Sequence, residues 1–204
     1  MMKKGILVIG VVGFLLVSCI DHEIIPAPVP TVDLNSHFSA TVNGASVEFT
    51  ENVLDYTNSS EKAKIILPPP NFSSAVYYSQ MSSSQVATSI KVGLGSMVWD
   101  ASLAPDPGLN TFNTFFTDND FPPYSTFGSA GFEVQYRDGF GNIWKSLDTS
   151  PNQQDVEFLN IKQESDSSGD YSLFTCNFNC YAYNFDFSDS INIQNGIYQG
   201  WFKR

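Results

Sequence analysis

Residues 38–50, "FSATVNGASVEFT", decide the fold. Phe38, Ala40 and Val42 alternate with polar residues, Asn43-Gly44 interrupts them, and Val47 and Phe49 resume the alternation. A period of two puts the apolar side chains on one face of an extended chain. Asn-Gly between two such runs predicts a tight turn, because a type I′ turn needs positive φ at both central residues. The stretch is therefore read as a β-hairpin with one buried face.

The pattern recurs along the chain. "SAVYYSQM" is followed by "QVATSIKVGL", which sets Val86, Thr88, Ile90, Val92 and Leu94 on one face. "GFEVQYRDGFGNIWKS" does the same with Phe132, Val134 and Tyr136, then turns through Asp138 to Asn142 into another strand. "DVEFLNIKQ", "DYSLFTCNFNCYAYNF" and "INIQNGIYQGWF" complete the set. No stretch sustains a helical period, so residues 36–204 are predicted to form an all-β domain, an antiparallel β-sandwich of roughly ten strands.

"FTCNFNC", residues 174–180, places Phe174, Cys176, Phe178 and Cys180 on one strand face. Four residues of strand separate the two cysteine Cα atoms by about 13 Å, and a disulfide needs them within about 7 Å. Cys176 and Cys180 are therefore expected as free thiols in the core, with no disulfide. Metal ligation has little to draw on, since the chain's two histidines, His22 and His37, both lie near its start.

That start has its own reading. Lys3 and Lys4 precede an apolar run from Gly5 to Val17 that ends at Ser18-Cys19, the layout of a secretory signal peptide over residues 1–18. The run is too short to span a bilayer, which takes roughly 20 apolar residues. Leu16-Val17-Ser18-Cys19 matches a lipobox, in which the cysteine is acylated by diacylglycerol and becomes residue one, so Cys19 is the expected lipidation site. Residues 19–35 follow as a tether, extended by Pro26, Pro28 and Pro30. Asp21 and Glu23, just behind the lipid, resemble an acidic surface-export signal interrupted by His22.

Charge and composition exclude several functions. The chain carries 10 basic and 21 acidic residues; cleavage before Cys19 would leave 186 of the 204 and, without Lys3 and Lys4, move the formal charge from −11 to −13. An acidic surface without a basic stripe repels phosphate backbones, so no nucleic-acid partner is expected. No histidine is placed for Ser-His-Asp chemistry, and Glu48, Asp100, Glu133 and Glu157 are not paired by spacing, so no catalytic residues are expected. A carboxylate-based hydrolase is the enzymatic alternative. No cofactor is expected either. Asp118-Asn119-Asp120 and Asp166 to Asp170 are oxygen-rich loops that suit calcium only loosely, since neither follows an EF-hand pattern.

The stretch from Asp100 to Ala130 stands apart. Pro105, Pro107, Pro122 and Pro123 interrupt any ladder, yet Phe112, Phe115, Phe116, Phe121, Tyr124 and Phe127 crowd it. Two readings stay open: the rings cover an open end of the sandwich, or some of them form a recognition surface on a long loop. The candidate binding residues on the second reading are Phe115, Phe121 and Tyr124, joined by Trp144 on a strand face. Trp99 and Trp201 are further candidates for stacking on sugar rings.

The lipobox, the leading "FSATVNG" hairpin, "GNIWKS" after a mid-chain turn, and the closing "FTCNFNC" and "INIQNGIYQGWF" together resemble a group of small Bacteroidota outer-membrane lipoproteins of uncharacterised function. The likeness covers the two ends and the chain from Gly131 onward better than residues 51–130. It implies a β-sandwich anchored at the outer membrane, periplasmic or surface-exposed, and brings no catalytic residues with it. The expected function is a non-catalytic binding or interaction module of the cell envelope, whose partner is a glycan or an envelope protein. A purely structural envelope lipoprotein is the other alternative.

Overall fold

The computed structural model describes residues 30–125 and 130–204. Among the described residues the fold has ten antiparallel strands and one helix: β1 (His37–Val42), β2 (Ala45–Thr50), β3 (Tyr56–Ile65), β4 (Ser73–Ser83), β5 (Ser89–Trp99), α1 (Leu109–Thr117), β6 (Gly131–Arg137), β7 (Ile143–Ser146), β8 (Asp155–Asp166), β9 (Gly169–Tyr183) and β10 (Ser190–Lys203). The strands run in the order β2-β1-β10-β9-β7-β6-β5-β4-β3, with β8 on β9.

β9 is the seam. One edge pairs with β10 along its length, while the other is divided: Gly169 to Asn179 faces β8, and Ala182 and Tyr183 face β7. The sheet therefore forks at β9 into two five-stranded layers, β2-β1-β10-β9-β8 and β7-β6-β5-β4-β3, which pack face to face as a sandwich. The layers also touch across the core, where the Tyr198 hydroxyl of β10 meets Ser79 Oγ of β4 at 3.0 Å and donates to Asn58 Oδ1 of β3 at 2.6 Å.

The opening hairpin forms as the alternation predicts. Phe38 pairs Phe49 and Ala40 pairs Val47, around Asn43 at φ +48° and Gly44 at φ +83°. Ile90, Val92 and Leu94 of β5 and Phe132, Val134 and Tyr136 of β6 are all buried. So are Phe174, Cys176, Phe178 and Cys180, and both cysteines are free thiols. Burial pushes both thiols up in pKa, Cys180 to about 12, so neither ionises near neutral pH.

One element departs from the sequence reading. α1 is a helix within the stretch expected to lack one. Phe112, Phe115 and Phe116 recur at i, i+3 and i+4, the spacing of one helical face, and Gly108 precedes the first turn. Phe116 stacks on Phe202 of β10 at 4.7 Å, and both Phe112 and Phe116 meet Tyr77 of β4 edge-on. The helix thus plugs the gap between the two layers at the end where β10 finishes.

That end also receives the incoming chain. The last residues of the expected tether lie against the domain: Val32 N donates to Asp166 Oδ2 in the β8–β9 turn, and the Leu34 carbonyl accepts from Trp201 Nε1. Cys19 and the rest of the signal and tether fall outside the described residues, as does Phe127.

Candidate binding surface

Most of the expected binding residues are held by the domain itself. Phe115 packs partly buried against Phe116 at 5.1 Å. Tyr124 lies edge-on to Phe132, and its hydroxyl sits 3.1 and 3.0 Å from the Asp155 and Asn179 carbonyl oxygens. Its pKa is pushed far up, by burial first and by the neighbouring cysteines next. Trp144 is buried, with Nε1 donating to Asp138 Oδ2 at 3.1 Å. The other indoles are tied too, Trp99 to the Ala104 carbonyl and Trp201 to that of Leu34. Aromatic rings on inward strand positions or on a docked helix are the cheapest way to fill a sandwich end. Phe121 is exposed, unlike its neighbours. The helix and Tyr124 thus form a plug, and the two open readings resolve toward covering the sandwich end for Phe115 and Tyr124.

The carboxylates lie on separate elements. Glu48 on β2 meets His37 Nε2 at 3.0 Å, Asp100 follows β5 and accepts from Ser102, Glu133 sits on β6 and Glu157 on β8. Asp166 Oδ1 accepts from the backbone of Ser168 and Gly169, the chemistry of a turn. Asn119 caps the helix by donating to the Phe115 carbonyl. Among the described residues no group of three His, Cys, Asp or Glu side chains is arranged to hold a metal ion.

The two most exposed rings among the described residues, Phe185 and Phe140, lie elsewhere, at the opposite end of β9 from the tether. Phe185 is 97% exposed and Phe187 54%, both in the β9–β10 turn, and Phe140 is 95% exposed in the β6–β7 turn. β7 pairs with the last residues of β9, so the register brings these two turns side by side. Between Ile143, Leu147, Tyr183, Phe185 and Phe187 opens a cleft of about 300 Å³, apolar apart from Lys145 and Asn184.

Both turns are built to keep their shape. Asn184 N donates to the Asp189 carbonyl, Asp189 N returns to Asn184 Oδ1, and Ser188 donates to Asp186. Phe187 is held at φ +58°, a left-handed conformation costing a side chain of this type about 1–2 kcal/mol. In the other turn Asp138 accepts from Phe140 N, Asn142 N, Asn142 Nδ2 and Trp144 Nε1. Desolvation raises its pKa, but these hydrogen bonds outweigh that and leave it below the usual carboxylate range. Asp186 is likewise lowered, by the Ser188 hydroxyl and amide. The tip is thus apolar rings on braced turns, flanked by the carboxylates of Asp138 and Asp186, both held below the usual carboxylate range.

Sequence reasoning missed these rings because Asn184 and Phe185 read as the end of the strand "DYSLFTCNFNCYAYNF", and "DGFGN" reads as a turn, whose residues are expected to be polar. The available signal was phenylalanine inside the turn chemistry itself. No family model, no curated protein and no solved structure matches the chain.

Proposed function

We propose that the protein is a non-catalytic binding module of the cell envelope, anchored through acylated Cys19 and engaging a partner protein with the phenylalanine tip. The observation that carries this reading is the placement of Phe140, Phe185 and Phe187, three large apolar rings in water on two adjoining, internally braced turns. Folding gains almost nothing from Phe140 and Phe185 and only part of what Phe187 could give, and exposed apolar groups of this kind mark interaction sites. The acidic flanks favour a partner segment that combines apolar and basic side chains.

The anchor and the tip are consistent with one another. Val32 is fixed beside the turn that opens β9, and Phe185 lies two positions past its last residue, so the 15 residues of β9 separate them by up to about 46 Å. A chain tethered through residues 19–31 would present the tip away from the bilayer. The reading agrees with the resemblance to outer-membrane lipoproteins, for which the Leu16–Cys19 motif is the support.

Two experiments test it. Cys19→Ala should remove acyl labelling and release the protein from the membrane fraction; unchanged labelling and partitioning would defeat the anchor. A photo-crosslinking amino acid at position 185, in cells, should give a discrete adduct that Phe140→Asp and Phe187→Asp suppress. Adducts formed from position 121 and not from 185 would defeat the tip.

A further inference from the structure

On the solvent face of the second layer, Glu133 of β6 is only 5% exposed, and its Oε2 has no hydrogen-bond partner among the described residues. We infer that the groove over Glu133 is a binding site for a neutral polyhydroxylated ligand, one sugar or polyol unit. It lies on a different face from the phenylalanine tip and stands without it.

Register assembles the groove. Glu61, Tyr78, Gly93 and Glu133 form one cross-strand row over β3, β4, β5 and β6, and Gln80, Lys91, Gln135 and Lys145 form the next over β4 to β7. Gly93 leaves a notch, and the Tyr78 ring lies down in it: a Cβ on Gly93 would stand 2.6 Å from Tyr78 Cε1. Lys91 Nζ lies 4.3 Å from the centre of that ring and 3.0 Å from Glu61 Oε2. The tilted tyrosine and the lysines wall in the Glu133 carboxyl, leaving a groove of about 290 Å³ over it. That is at the small end of ligand sites and suits one unit better than a chain.

The chemistry selects the ligand class. A buried oxygen without a partner is costly, and such a group recurs where a ligand completes it. Burial raises the Glu133 pKa against the pull of Lys145 and Lys91, so its protonated form, which both donates and accepts, persists to higher pH than in an exposed glutamate. Ammonium groups of Lys91 and Lys145 offer donors, Glu61 offers acceptors and Gln135 offers both. Adjacent hydroxyls satisfy donors and acceptors a few ångströms apart without adding charge. An anionic ligand would meet Glu61 and Glu133, and a cationic one would meet the lysines.

The test is a titration of the chain as purified from the membrane fraction, in a detergent without a sugar headgroup, with glucose, galactose, mannose, N-acetylglucosamine and myo-inositol. Glucuronate and glucosamine serve as charged counterparts. At least one neutral probe should bind saturably with a Kd below about 10 mM and move the 13C signal of the wild-type Glu133 carboxyl. Glu133→Ala should weaken that binding at least tenfold, and Glu133→Gln, which keeps a donor and an acceptor, should restore most of it. Binding of no neutral probe, a Glu133 signal that does not move, or a preference for either charged counterpart would overturn the inference. The carboxyl signal is read on the wild type, so a variant that fails to fold leaves the decision intact.

Discussion

Phe116→Ala measures whether the Asp100–Ala130 stretch is a plug or a free recognition loop. Phe116 is 2% exposed and touches four rings: Phe202 stacked at 4.7 Å, Phe112 at 4.9 Å, Phe115 at 5.1 Å and Tyr77 at 5.6 Å. Truncating a buried phenylalanine costs about 3–5 kcal/mol in lost transfer and residual cavity. Rings from both layers converge here and cannot all close in, so the upper half of that range is expected. For a domain of this size each kcal/mol lowers Tm by about 2–4 °C, so the variant should melt roughly 8–20 °C below wild type. Urea unfolding followed by tryptophan fluorescence should show a lowered midpoint at an unchanged slope. Phe121→Ala, at an exposed ring four residues past the helix, should stay within about 0.5 kcal/mol of wild type. Equal effects of the two changes, or a loss below about 1 kcal/mol for Phe116→Ala, would refute the helix plug.

The thiols of Cys176 and Cys180 should react with a thiol reagent only after unfolding, and Cys176→Asp should cost several kcal/mol, because that position offers no partner for a buried charge; fast labelling of the native protein would contradict the strand geometry. Asp106 accepts from Lys62 Nζ at 2.8 Å and Lys64 Nζ at 2.9 Å, and these bonds depress its pKa to about 2. A depressed carboxylate stabilises the fold above its unfolded pKa, near 4, and loses that contribution as pH falls through about 2. Solvent screening of these partly exposed groups keeps the effect small. Asp106→Asn should therefore lower Tm slightly at pH 6 and much less at pH 2, as differential scanning calorimetry would read. Phe185→Ser should leave Tm within about 2 °C of wild type, since the ring is almost wholly in water.

Local alternation carried the strands because burial on a pleated sheet repeats every two residues whatever the strand's neighbours are. Phe38, Ala40 and Phe49, the alternate residues Ile90 to Leu94, and Phe174 to Cys180 are buried as their spacing alone requires, with Val42 and Val47 half-buried at the hairpin end. Spacing fails where the ladder slips. In β10 Ile191 and Ile193 point inward before the irregularity at Gln194–Asn195, and Tyr198 and Phe202 after it, so the buried parity changes from odd to even within one strand. β5 changes likewise, from Leu94 to Met97 and Trp99. The helix at Leu109–Thr117 spans only nine residues between prolines, too short for its period to stand out.

Sites needed the third dimension for the same reason. Glu61, Tyr78, Gly93 and Glu133 lie up to 72 positions apart, and only pairing across four strands sets them in one row. The turns that carry Phe140 and Phe185 adjoin only because β7 pairs with the last two residues of β9. Whether a ring such as Trp144 is core or contact was likewise decided by which turn folded beneath its indole. A sequence prescribes which side chains share a strand face, since that depends on the backbone's own geometry. Which faces meet depends on pairings between distant segments, whose free energy no local stretch contains.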